Sequence, residues 1–154
     1  MIKTDYIYTR RADSSEPDFT QLQEALVSDL KVRDGVDHEH YAEINLVDGL
    51  HFVVIGYHDS FPVACGGLRP YTNHELEIKR MYVKPLFRRK NFATIILLEL
   101  ENWAKELGFP SCILETGKNQ PEAIALYQKN NYSSISPFGR YIGSKNSVCF
   151  RKIF

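Results

Sequence analysis

Between Glu75 and Val83, apolar Leu76, Ile78, Tyr82 and Val83 alternate with charged residues, and the run stops at Lys84-Pro85, where proline cannot continue a hydrogen-bonded ladder. That is the pattern of a half-buried strand. A short basic loop, Arg88-Arg89-Lys90, leads into Ala93, Ile96, Leu97, Leu100, Trp103, Ala104 and Leu107 at three- and four-residue spacing, with Glu99, Glu101, Asn102, Lys105 and Glu106 on the other face. This spacing predicts a helix from near Asn91 to Gly108, with Pro110 just beyond. Unpaired N–H groups of its first turn, the positive end of its dipole and three cationic side chains converge on one place, which suits a diphosphate.

The rest of the chain fits around this unit. Residues 6–10 read as a strand, 14–17 as a turn and cap, and 18–31 as a helix with Phe19, Leu22, Leu26 and Leu30 on one side. Residues 41–46 read as a short second helix. Residues 51–57 and 62–69 form a hairpin across His58-Asp59-Ser60-Phe61, and 112–116 read as a buried central strand, with two more strands at 132–135 and 147–153. Strands in a row, then helix, strand, helix and strands, predict a mixed α/β sheet with helices on both faces.

At 154 residues the chain is one domain's worth, 1–154, with no repeat or low-complexity tract. Lysine plus arginine and aspartate plus glutamate balance at 19 each, so no global field favours nucleic acid or an acidic membrane surface. Cys65, Cys112 and Cys149 are odd in number and set in apolar runs, which predicts buried reduced thiols and a cytoplasmic protein rather than a disulfide frame. No apolar leader opens the sequence and no window approaches a membrane span. His38-x-His40 has no third or fourth ligand in sight, so no metal is expected.

The loop Arg88-Arg89-Lys90-Asn91-Phe92-Ala93 resembles the Gln/Arg-x-x-Gly-x-Gly/Ala signature of the GNAT superfamily of acetyl-CoA-dependent N-acetyltransferases. Ala123-Ile-Ala-Leu-Tyr127, followed by Asn131-Tyr132, is similar to that family's Ala-Ile-x-Leu-Tyr-x-x-x-Gly-Phe run. The likeness covers roughly residues 52–154. Asparagine stands for glycine at Asn91 and Asn131, and it is the non-glycine residue that best tolerates a left-handed backbone. The resemblance implies a GNAT-like central sheet, mixed and mostly antiparallel, twisted, of six to seven strands. It implies acetyl-CoA as cosubstrate, with the backbone of Met81, Tyr82 and Val83 pairing with the pantetheine arm. Arg88, Arg89, Lys90, Asn91, Phe92, Ala93 and Thr94 would surround the pyrophosphate, and Gln120 stands where the family often has an asparagine contacting the cofactor.

The implied reaction is direct acetyl transfer to a primary amine of a small molecule or peptide through a tetrahedral intermediate. Holding a lysine-like amine neutral at pH 7 costs about 4.6 kcal/mol, against about 1.4 for an α-amino group, at ~1.36 kcal/mol per pKa unit. A base therefore matters most for the first class. By resemblance Glu77 is the candidate, with a pKa raised by burial, and Glu75 shares its face as a fallback. Pairing of both with Lys79, Arg80 or a neighbouring strand's charges is the competing reading. Tyr127 is implied to protonate the departing thiolate, the alternative being ordinary packing of its helix.

For the acceptor, Tyr41 among Asp34, Asp37, Glu39 and Glu43 borders the implied entrance, though such a run also suits a solvated surface. Ser136-Pro137-Phe138-Gly139-Arg140-Tyr141 would close over the acceptor, or Arg140 would instead bind an acceptor carboxylate, which would point to amino acids or related small molecules, or the loop would pack its aromatics on the sheet. The expected partners are a small-molecule or peptide amine, with no nucleic acid or membrane, and a homodimer as the default for a soluble protein. Two other functions compete: a catalytically weak GNAT-fold module that binds CoA as a sensor or interaction partner, and an α/β domain whose basic loop holds another phosphate.

Overall fold

The computed structural model describes residues 6–34 and 50–154. β1 (Ile7–Ala12) and α1 (Pro17–Asp34) are followed by β2 (Phe52–His58), β3 (Phe61–Pro70) and β4 (Glu75–Val83). A 3₁₀ turn at Pro85–Phe87 leads to α2 (Phe92–Glu106), β5 (Ser111–Gly117) and α3 (Pro121–Lys129). β6 (Ser133–Ile135), a second 3₁₀ turn at Gly139–Tyr141 and β7 (Ser147–Ile153) complete the chain. The short helix expected over 41–46 lies outside the described residues.

The strands form one seven-stranded sheet in the order β1-β2-β3-β4-β5-β7-β6. Every neighbouring pair is antiparallel except β4–β5. The expected mixed sheet is present, with helices on both faces. Phe19, Leu22 and Leu26 of α1 pack on one face against Val53, Ile55 and Cys65. On the other, Ile96, Leu97, Leu100 and Ala104 of α2 cover Val54, Leu68, Leu76 and Leu114, each full Leu or Ile burial contributing about 1.5–3 kcal/mol. α3 joins the second face through Tyr127.

Local signals read from the sequence recur in the backbone. Asp59 turns the β2–β3 hairpin at φ 55°. α2 ends in a Schellman motif, with Gly108 at φ +87° and the Phe109 N–H reaching the Ala104 carbonyl. Glu101 departs from its expected polar face: it is 2 % exposed, accepting from the Tyr132 hydroxyl at 3.0 Å and Lys152 Nζ at 2.7 Å. It flanks Leu97, Leu100 and Ala104, and the tertiary partners turn that flank inward. Cys65, Cys112 and Cys149 are free and buried, and burial pushes the Cys112 thiol up to about 12.

Candidate active site

β4 and β5 are paired only from Glu75↔Ser111 to Ile78↔Leu114. Beyond that point β4 follows β3, with Tyr82 opposite Cys65, while β5 follows β7, with Glu115 opposite Cys149. The parallel pair therefore opens into a cleft. A bulge marks the start of the opening: three β4 residues, from Arg80 to Tyr82, are set against Gly66 and Cys65, and Arg80 adopts φ 62°. Bulges raise local twist and re-aim side chains, so this one both spreads the strands and turns Arg80 toward the gap.

A cavity of about 90 Å³ fills the cleft, with Lys79 and Arg80 on its β4 wall, Glu115 on its β5 wall, and Tyr127 and Tyr141 across it. Glu77, 8 % exposed, stands behind Tyr141. The Tyr141 hydroxyl donates to Glu77 Oε2 at 2.8 Å and accepts from Lys79 Nζ at 2.9 Å, and Lys79 Nζ is 3.6 Å from the same carboxylate oxygen. Burial, then the charges of Glu77 and Glu115, drives the Tyr141 phenol far above its usual value. Burial lowers the Lys79 ammonium, against the pull of Glu77 and Glu115.

Tyr127 also lines a second, larger cavity of about 520 Å³. This one runs from Met81, Tyr82 and Val83 to the N-terminus of α2 at Asn91, Ala93 and Thr94. Asn91 precedes the helix at φ 67° and makes no side-chain capping bond, so the first-turn N–H groups are left to face the cavity without a side-chain cap. Arg88 and Arg89 add positive charge, and Arg88 is braced by its Nε bond to the Val83 carbonyl at 2.9 Å and by Asp29 at 3.7 Å. The donor set fits an anion such as a diphosphate. The β4 edge beside it, beyond Ile78, is left open by β5, which fits an extended chain adding as a strand. The Tyr127 hydroxyl makes no hydrogen bond among the described residues, and burial, then Glu115, holds the phenol in its protonated form by raising its pKa.

Residues 16–132 match the model of the Acetyltransferase (GNAT) family. The chain belongs to that family. It is 36 % identical over 80 residues to an IAA acetyltransferase of Azospirillum brasilense, a stretch covering 51 % of this chain and 52 % of that one. It is 38 % identical over 76 residues to the uncharacterized N-acetyltransferase YjgM of Escherichia coli K12, covering 47 % and 46 %. Each match thus spans about half of the relative's length. The fold is shared with the PaiA N-acetyltransferase of Thermoplasma acidophilum, solved in complex with coenzyme A, at TM-score 0.73 and 18 % identity over 97 % of this chain and 99 % of that one.

In this GNAT chain the residues singled out from the sequence distribute unevenly. Met81, Tyr82, Val83, Arg88, Arg89, Asn91, Ala93, Thr94 and Gln120 all border the larger cavity. Phe92 also borders it, but its side chain is 1 % exposed and fills the core, leaving mainly its backbone for a ligand. Lys90 does not line it and lies over the Phe87 ring at 5.8 Å. Gln120 is the N-cap of α3 without a side-chain cap bond. Glu75 is held in a two-pronged pair with Arg151, at 2.7 and 2.9 Å, which keeps its carboxyl below the usual range and away from both cavities. Arg140 is exposed in the second 3₁₀ turn and lines neither cavity, whereas Phe138 and Tyr141 of the same loop pack against Ile113 and Cys149. Tyr41, with Asp37, Glu39 and Glu43, lies outside the described residues.

Sequence reasoning passed over Lys79, Arg80, Glu115 and Tyr141 as site residues. A charged residue at the point where an alternating strand breaks its phase is the one local signal, and it marks Arg80: Ile78 and Met81 face the same core although they are three apart. The link from Tyr141 to Glu77 spans 64 positions and has no local signature.

Proposed function

We propose that this chain moves an acetyl group from acetyl-CoA to a primary amine by direct transfer. The observation that carries the reading is the junction of the two cavities at Tyr127: a diphosphate-suited cavity with an open strand edge meets a charged cleft at a phenol that keeps its proton. In this reading the α2 N-terminus with Arg88 and Arg89 holds the cosubstrate's pyrophosphate, and the open edge at Met81–Val83 aligns its extended arm. The amine enters the smaller cleft. Its proton passes toward Glu77 by way of the Tyr141 hydroxyl or an intervening water, and Tyr127 supplies a proton to the leaving thiolate. The bulged backbone at Arg80 and Met81 lies beside the reacting carbonyl, where N–H groups stabilise developing negative charge.

Isothermal titration with acetyl-CoA, with ATP in parallel, tests the cosubstrate. Saturable one-to-one binding of acetyl-CoA and none of ATP is expected, followed by amine-dependent release of free thiol. Binding without turnover across an amine screen would favour a CoA-binding sensor module instead, and absence of binding would remove the transferase reading.

A further inference from the structure

Arg80 is the anomaly of the cleft. It is a bulky residue held in the left-handed region at φ 62°, a conformation that costs free energy and that accumulates at ligand-binding sites. Its carbonyl is fixed by the Cys65 thiol at 3.5 Å, and that thiol is in turn held by Gln23 Nε2 at 3.3 Å. The surrounding structure therefore pins the bulge. Yet the side chain so presented has no counter-charge: its guanidinium forms no ion pair among the described residues, and Nε is sealed from water without an acceptor. Lys79 beside it meets Glu77, and Arg10, Arg11, Arg88 and Arg151 all have carboxylates within 4.0 Å. Burial lowers the Arg80 guanidinium from its ordinary value, against a smaller opposing pull from Cys65 and Tyr141.

A buried guanidinium missing its anion on the wall of a cavity is a receptor for one, and the planar fork matches a carboxylate in two-pronged fashion. Across the cleft, Glu115 supplies negative charge on the β5 wall, so the gap presents a cation on one side and an anion on the other. We infer that the acceptor is an amino acid or a close relative, an amine that also carries a carboxylate, with the carboxylate seated on Arg80 and the amino group toward Glu115. The inference deepens the transferase reading and rests on it for the identity of the reacting group. It also moves carboxylate recognition from the exposed Arg140 to Arg80.

The test is a calorimetric titration of the full chain with N-acetyl-α-amino acids spanning small, apolar, polar and charged side chains, each against its primary carboxamide, and separately with acetyl-CoA. Wild-type protein is expected to bind at least one acid about tenfold or more tighter than its amide, the scale of a hydrogen-bonded charge. Arg80→Gln should erase that preference, Arg80→Lys should keep part of it, and both should retain acetyl-CoA binding and the melting temperature within a few degrees. Equal binding of acids and amides, no binding of either, or a preference that survives Arg80→Gln overturns the inference. Acid preference with no acetyl-CoA binding would keep the carboxylate site and remove the transferase reading, whereas acetyl-CoA binding without acid preference would do the reverse.

Discussion

In the proposed reaction Tyr127 and Glu77 reach the chemistry by different routes. The Tyr127 hydroxyl stands at the meeting of two cavities with no protein partner among the described residues, and its raised pKa keeps the proton that a departing thiolate needs. Tyr127→Phe is therefore expected to lower kcat by about 10²-fold, the usual scale for a positioned acid, with acetyl-CoA affinity nearly unchanged. Unaltered turnover would return this tyrosine to a packing role. In that proposal Glu77 acts from behind Tyr141, so Glu77→Gln and Tyr141→Phe should each lower kcat/KM, and the double variant should lose little more than the worse single one. Additive losses in amine acetylation assays would mean that the two do not form one relay.

At the scale of the element, the start of α2 depends on a backbone shape more than on a side chain. Asn91 and Asn131, the two positions where glycine is usual in the family, lie at φ 67° and 70°. Asparagine holds that conformation at low cost, and its own side chain leaves the helix terminus uncapped for an incoming anion. Asn91→Ala should then cost about 1 kcal/mol, seen as a fall of roughly 2–4 °C in Tm, and should weaken acetyl-CoA binding, while Asn91→Gly should keep the affinity. Equal affinity in all three proteins would show that the loop tolerates other shapes. This element was legible in the sequence because a basic loop, a left-handed-tolerant residue and an amphipathic period are all local properties. Arg80 was not, because its φ and its lack of an ion pair among the described residues arise from β3, β4 and β5 together.

Across the whole molecule, the sheet is tied where β4, β5 and β7 run side by side. Arg151 of β7 reaches over to grip Glu75 of β4, and Ser111 of β5 donates to the same carboxylate at 3.2 Å. Arg151 first, and Ser111 to a lesser degree, hold the Glu75 pKa below its ordinary value, so the pair stabilises the fold above the pKa of an unfolded glutamate, and that contribution is lost as pH falls through the folded value. With Arg151 38 % exposed and partly screened, Glu75→Gln should cost about 1–2 kcal/mol at pH 7. In urea unfolding, the difference between variant and wild type should shrink below about pH 4.3. A difference that stays constant down to pH 3 would show that the pair contributes no linked charge.

The amino-acid sequence by itself determined the order and type of the described elements, the phosphate-suited start of α2 and the helix that bears Tyr127, because periodicity, turn residues and charge at a helix end act over a few positions. Only the tertiary structure decided which charges face the cleft. Glu75 became a structural tether when β7 brought Arg151 beside it, Glu77 acquired Tyr141 from 64 positions away, and the Arg80 guanidinium, where β4 bulged and β5 turned aside, was left without an ion pair among the described residues. Those outcomes depend on strand register and on where a parallel pair stops pairing, and a side chain's burial and pairing are properties of all the chain segments around it.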